Sequence, residues 1–393
     1  MRSGHTVSIR IIGGLAVAAA VLSACSSTDD TNAASQPKAG AILSSAPLQN
    51  AAALPSAARD ELITYATENA NQQRIVVSGT VAVPRGQAPE GGWPVISWAH
   101  GTTGIADTCA PSGDTSDGPA HDYLGPVSNT LDQWLQKGYA VVATDYEGMG
   151  TPGDHTYLNA VSEANAVTDI VRAARNLDPS VGTKWFAMGH SQGGSAAITT
   201  SDVGVARAPE LDLLGAVSIA PGSGLAQLPQ FIASGNPAAT TALGFFPLMV
   251  LGAAASDPAV VPSDFVGPGA APLMTAARRG CIADVRAAIP QASLTSVIKP
   301  GADVAPLSNY LAAQDPSNSR PKVPVLLAQG TADTVIAKPL TDTLATTMCS
   351  HGTQIDYHTY PGADHRASVQ ASLADAQTFA QARLDGENAS TTC

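Results

Sequence analysis

The chain has 393 residues, 44% of them hydrophobic and 13% charged, with a formal net charge of −12. This composition fits one large globular core or two domains and excludes an intrinsically disordered chain. The acidic balance argues against binding to nucleic acid, where cations must meet phosphates, and favours solubility.

From the N-terminus, residues 1–24 read as an export signal. Arg2 and Arg10 supply the positive flank, and Ile11 to Leu22 form an apolar run too short to span a bilayer comfortably. Leu22-Ser23-Ala24-Cys25 resembles a bacterial lipobox, in which cleavage leaves Cys25 first and its thiol is acylated. The alternative is an ordinary cut near Ala24 with Cys25 incidental. Residues 25–47 then form the lipidated cysteine and a flexible tether, rich in Ser, Thr, Ala, Asp and Pro. No later stretch reads as a membrane span, so the lipid anchor is the only membrane contact expected.

Next, short β-branched or aromatic runs alternate with helical patterns. Strands are expected at 74–83, 95–99, 139–144, 184–188, 214–220, 323–328 and 354–360. A helix is expected from Asn129 to Lys137, stopped by Gly138. In the next, Val167, Ile170, Val171, Ala174 and Leu177 recur with helical spacing. Two more cover Val335 to Cys349, interrupted at Pro339, and about Arg366 to Leu384. Near-continuous apolar strands alternating with helices predict an α/β fold, a mostly parallel sheet covered on both faces. Residues 223–319 break the alternation. They are rich in Pro, Gly and Ala and predict an inserted, mainly helical cap between two halves of the core, 48–222 and 320–393. The apolar run from Ala242 to Leu251 suits the cap's own core, a lid wall facing an acyl chain, or both.

Gly189-His190-Ser191-Gln192-Gly193 joins an expected strand to an expected helix. G-x-S-x-G in that context is the nucleophile elbow of the α/β-hydrolase fold. Ser191 needs a base, and the base an orienting acid, in the chain order Ser, Asp or Glu, His. Three histidines follow it. His358 alternates within a strand and His351 sits at a helix end. His365, in Pro361-Gly362-Ala363-Asp364-His365, lies in a loop directly after the last strand and is the expected base. Asp333 follows a strand in Gly330-Thr331-Ala332-Asp333-Thr334 and is the expected acid, with an N-cap role for the helix that follows as its alternative. The oxyanion hole is expected from the backbone N–H of Gln192 and from Thr102 in His100-Gly101-Thr102-Thr103-Gly104, with Thr103 the runner-up donor. Losing one such donor typically costs roughly 3–4 kcal/mol in the transition state. His100 is expected to orient its loop, and Asp145 to shape the glycine-rich loop that follows it. No phosphate loop, His-Glu metal motif or dinucleotide fingerprint stands in the sequence, so no cofactor or metal is expected. With Cys25 lipidated, Cys109, Cys281, Cys349 and Cys393 remain, and in an oxidising compartment they allow three pairings.

Several of these stretches together resemble the secretory lipase family, its lipase-A-like branch, over about residues 50–393. They are Ser97 to Gly104, Cys109-Ala110-Pro111-Ser112, Thr144 to Gly153, the serine elbow and the Asp333/His365 pair. The resemblance implies an α/β-hydrolase with an inserted lid that hydrolyses carboxylic esters, triacylglycerols among them. It also implies the pairs Cys109–Cys281 and Cys349–Cys393. A small-molecule or lipid ester is the expected partner. The same machinery would serve an acyltransferase or a peptidase. A non-catalytic lipoprotein that binds apolar ligands is a remote alternative, against which Ser191, Asp333 and His365 argue.

Overall fold

The computed structural model describes residues 37–393; the signal, Cys25 and most of the tether lie outside the described residues. Nine strands form one sheet in the order β1-β2-β3-β5-β4-β6-β7-β8-β9. Their ranges are β1 Ile42–Pro47, β2 Ala57–Glu68, β3 Arg74–Pro84, β4 Trp93–Ala99 and β5 Ala140–Thr144. They continue as β6 Val181–His190, β7 Asp212–Ile219, β8 Val325–Gly330 and β9 Ile355–Tyr360. From β5 to β9 every pairing is parallel, while β1, β2 and β3 attach antiparallel at one edge.

The parallel strands are apolar because both faces are covered. Successive residues point to opposite faces. In β4, Val95 packs with Val167, Ile170 and Ala174 of helix α2 (Ala160–Leu177) and with Ala196 and Ile198 of α3 (Gln192–Arg207). Ile96 and Trp98 instead meet Leu131 and Trp134 of α1 (His121–Gln136) and Phe379 of helix Leu373–Leu384. This two-sided core fixes the sheet, and the sheet aims the carboxyl ends of its strands at one rim.

Some boundaries differ from expectation. Residues 42–47 are not tether: they form β1, paired with β2 through Ser45 and Ile63 among others. Leu43 to Pro47 are exposed, so this edge strand is held by its ladder and carries no apolar alternation. Helix α1 begins at His121, so Pro126 lies inside it and leaves its ladder one N–H short. Pro339 does not interrupt a helix. It sits at the second position of Lys338–Ser350 and opens it. The final pattern breaks into Ala367–Ala371 and Leu373–Leu384.

Between β7 and β8 the chain leaves the sheet and folds into short helices. Phe246, Met249, Phe265, Leu273, Val285 and Leu307 form an apolar cluster there. Both implied disulfides are present, Cys109–Cys281 and Cys349–Cys393, with Cα atoms 5.5 and 5.4 Å apart. The first ties the loop after β4 to this inserted region. Among the described residues no single helix is long and apolar enough to cross a membrane.

Candidate active site

Ser191 follows β6 and stands at the N-cap position of α3 with φ 58° and ψ −117°, a strained conformation for a residue with a side chain. Packing forces the turn. A Cβ on Gly193 would lie 1.9 Å from the Ala99 carbonyl oxygen, and one on Gly189 would lie 2.2 Å from that of Gly193. Only glycine fits on either side. The Ser191 N–H donates to the Ile219 carbonyl at 2.8 Å, which pins the elbow to β7.

Asp333 follows β8 and His365 follows β9. The His365 Nδ1–H donates to Asp333 Oδ2 at 2.7 Å, which leaves Nε2 as the other ring nitrogen, outside this bond. The other carboxylate oxygen, Oδ1, accepts the N–H groups of Val335 and Ile336 at 2.8 and 2.9 Å. Asp333 does not cap the helix Lys338–Ser350, whose N-cap position is Ala337; its Oδ1 closes the turn before that helix instead. Burial alone would raise its carboxyl. The His365 bond and the two backbone N–H groups outweigh that and hold it below the usual range.

The loop that carries His365 is fastened beside Ser191. His190 Nε2–H donates to the His365 carbonyl at 2.9 Å, and the two rings lie 4.5 Å apart. No hydrogen bond joins Ser191 Oγ to the His365 ring in this structure; such bonds often form fully only when substrate is bound.

Gln192 occupies the first position of α3, where backbone N–H groups lack helical partners. Thr102 shares a cavity with Ser191 and Gln192. Its hydroxyl is engaged with the Tyr157 hydroxyl at 2.8 Å, which leaves its N–H as the group to offer. Thr103 turns its hydroxyl inward, buried and unpartnered. The cavity measures about 180 Å³, and Leu225, Leu228, Ala242, Phe245, Met249 and Ile336 line it. Within the run from Ala242 to Leu251, Phe246 and Val250 fill the inserted region's core, and Ala242 and Phe245 face the cavity.

A model of the secretory lipase family matches residues 128–392. The chain belongs to that family. It is 24% identical over 352 residues to "Lipase A" of Moesziomyces aphidis, spanning 84% of this chain and 73% of that one. Its fold is that of an α/β-hydrolase. It is similar to the crystal structure of Candida antarctica lipase A, with a TM-score of 0.74 and 21% identity, covering 91% of this chain and 84% of that one. It is also similar to a ligand-bound form of the rice cell wall degrading esterase LipA from Xanthomonas oryzae, with a TM-score of 0.68 and 21% identity. That match covers 90% of this chain and 100% of the other. Family and fold together make the protein a hydrolase of ester substrates.

Several polar residues near the elbow are tied into the fold. Asp145 accepts from Ser78 Oγ at 2.7 Å, from the Ser112 N–H at 2.9 Å and from the Ser112 hydroxyl, so it locks three segments together. Its carboxyl is raised by burial, with those donors opposing. His100 is buried against Tyr146, ring centroids 4.3 Å apart, and its Nδ1–H donates to the Gly101 carbonyl at 2.8 Å. His358 bonds Asp356 on β9, and His351 ends the helix Lys338–Ser350. Among the described residues no group of three or more His, Cys, Asp or Glu is placed to hold a metal.

Sequence reasoning missed four residues of this site: Tyr123, His155, Glu163 and His190. Tyr123 accepts the Gly101 N–H at 2.9 Å and donates to His190 Nδ1 at 3.0 Å. Gln192 Nε2 donates to Glu163 Oε1 at 2.7 Å and reaches towards His155 Nε2 at 3.4 Å. One signal was available for Glu163. It lies four residues before Val167, on the apolar stripe of α2, where an acid is out of place.

Proposed function

We propose that the protein is an exported serine esterase or lipase acting on carboxylic esters with apolar acyl groups. Ser191 Oγ attacks the ester carbonyl carbon, and His365 Nε2 takes its proton. The carbonyl oxygen becomes an oxyanion facing the N–H groups of Gln192 and Thr102. As the tetrahedral centre collapses, the C–O bond to the alcohol breaks and the imidazolium returns the proton to that alcohol. Water, deprotonated by the same imidazole, then cleaves the acyl-enzyme and regenerates Ser191. Asp333 keeps the proton on Nδ1 throughout and stabilises the imidazolium.

The observation that carries this reading is the 2.7 Å bond between Asp333 and His365, held at the rim where the strained elbow presents Ser191. The apolar cavity supplies the acyl site. At about 180 Å³ it slightly exceeds the roughly 150 Å³ cavity that admits benzene, which suits a short or medium acyl chain. Residues 223–319 act as the cap over that site in this reading. Cys25 is the proposed lipidation site, and radiolabelled palmitate incorporation into wild type but not Cys25→Ser tests it.

A fluorophosphonate probe should label the wild type and not Ser191→Ala, and that variant should lose hydrolysis of p-nitrophenyl esters. Wild type that stays unlabelled at neutral pH while hydrolysing esters would overturn the mechanism.

A further inference from the structure

Glu163 is a buried carboxyl that the mechanism above leaves unused. It is 2% exposed, one turn into α2, directly behind the nucleophile elbow. Its Oε1 accepts the Gln192 side-chain N–H at 2.7 Å and the Leu158 backbone N–H at 3.1 Å. Gln192 is itself buried, and its Oε1 has no partner. The side chain is thus held from its nitrogen end, chiefly by Glu163.

The groups around Glu163 and its Gln192 partner come from three elements. Tyr146, His155 and Tyr157 project from the loop between β5 and α2, Tyr310 from the inserted region, and Gln192 from α3. None is a cation. Burial pushes His155 down to about 4, so it stays neutral, and its Nδ1–H is spent on the Glu147 carbonyl at 2.7 Å. The tyrosines are pushed up and remain protonated.

We propose that Glu163 is a positioning residue whose carboxyl grips the Gln192 side chain and so aims the Gln192 backbone N–H at the oxyanion. Two consequences follow. Loss of the grip frees the first turn of α3, and the cost falls on the transition state more than on substrate binding. Ionisation of Glu163 adds an uncompensated negative charge behind the point where negative charge develops in the reaction, at low local dielectric. Burial pushes the Glu163 carboxyl up to about 8, the Gln192 and Leu158 N–H groups opposing, so this ionisation falls on the alkaline side of neutrality. The acid form is active and is lost as pH rises through that value. The proposal rests on Ser191 being the nucleophile.

The test is kcat and KM against pH from 6 to 10 for wild type, Glu163→Gln, Glu163→Leu and Ser191→Ala, each checked for folding by thermal melting. Wild type should lose activity with a midpoint near 8. Glu163→Gln keeps an acceptor oxygen but cannot ionise. It should retain most of the neutral kcat and move the alkaline limb up by about one pH unit or more. Glu163→Leu should lower kcat by about tenfold or more, with KM within about twofold. An unmoved alkaline limb in Glu163→Gln, or wild-type kcat in a folded Glu163→Leu, overturns the proposal. Activity surviving in Ser191→Ala overturns the serine mechanism and this proposal with it. An inactive Ser191→Ala beside an unmoved limb in Glu163→Gln overturns the positioning role alone.

Discussion

The imidazole of His190 donates to the backbone carbonyl of His365, so the residue before the proposed nucleophile holds the loop of the proposed base. The direction is fixed, because a carbonyl only accepts. Burial, then the charge of a protonated His365, keeps His190 well below the usual imidazole range. It therefore stays neutral, with Nδ1 free to accept from Tyr123. Tyr123 in turn accepts from Gly101, next to Thr102. One chain of bonds runs from the proposed oxyanion loop to the loop that carries His365.

Breaking that chain should cost rate more than affinity. In His190→Phe the ring remains but neither nitrogen does. Expected is a fall in kcat of about tenfold to a hundredfold, since a small misplacement of a catalytic group has effects of that order. KM should stay within about twofold. Steady-state kinetics on one soluble ester reads both, and an unchanged kcat would show that packing alone places His365.

The second disulfide should govern stability and spare catalysis. It closes a loop of sequence separation 44 and pins a tail whose Thr392 N–H donates to the Ile355 carbonyl at 2.7 Å. In the chain-entropy model such a loop is worth roughly 4 kcal/mol. For a chain of this size, Cys393→Ser should lower Tm by on the order of 5–10 °C. Calorimetry under oxidising conditions measures this, and ester hydrolysis at 25 °C should be little changed.

Much of this architecture is legible in the sequence, and the exceptions share a cause. The sheet's interior strands read clearly because burial on both faces makes them apolar runs. The loops carrying Ser191, Asp333 and His365 read clearly because each follows such a strand. β2 does not. It carries Arg59, Asp60, Glu61 and Glu68 and is half-buried for most of its first half, so polar residues occupy positions that a buried strand would fill with apolar ones. β1 is exposed along nearly its whole length. The network of Tyr123, His155, Glu163 and His190 joins segments far apart in the chain. Only the fold makes them neighbours, and no local pattern announces such a meeting.

Cavity size should set chain-length preference. Ala242 lines the proposed acyl cavity, and a phenyl ring there would fill much of it. Ala242→Phe should leave acetate or butyrate esters nearly as good substrates as before. It should reduce kcat/KM on octanoate esters relative to butyrate by about tenfold or more, because each misfitted methylene costs on the order of 1 kcal/mol or more. Rates on p-nitrophenyl esters of graded length decide this. An unchanged ratio would place the acyl chain elsewhere.

Asp60 offers a stability prediction with a definite sign. The Leu54 N–H donates to its Oδ2 at 2.6 Å, while Oδ1 is buried without a partner. Burial pushes the carboxyl up to about 6, the Leu54 N–H opposing and the negative charges of Glu61 and Asp132 adding. The folded protein thus holds this proton more tightly than the unfolded chain does. Linkage then requires this group's contribution to fall as pH rises from roughly 4 through about 6, and to stay low above that. Asp60→Asn keeps an oxygen for Leu54 and cannot ionise. It should be more stable than wild type at pH 8 by about 1–2 kcal/mol, the partial exposure of the site discounting the full linkage value. Below pH 4 or so the wild-type carboxyl is protonated and that advantage should vanish. Urea unfolding at pH 8 and again at pH 4 measures both, and a gap of equal size at the two pH values would show that charge burial at Asp60 is not its source.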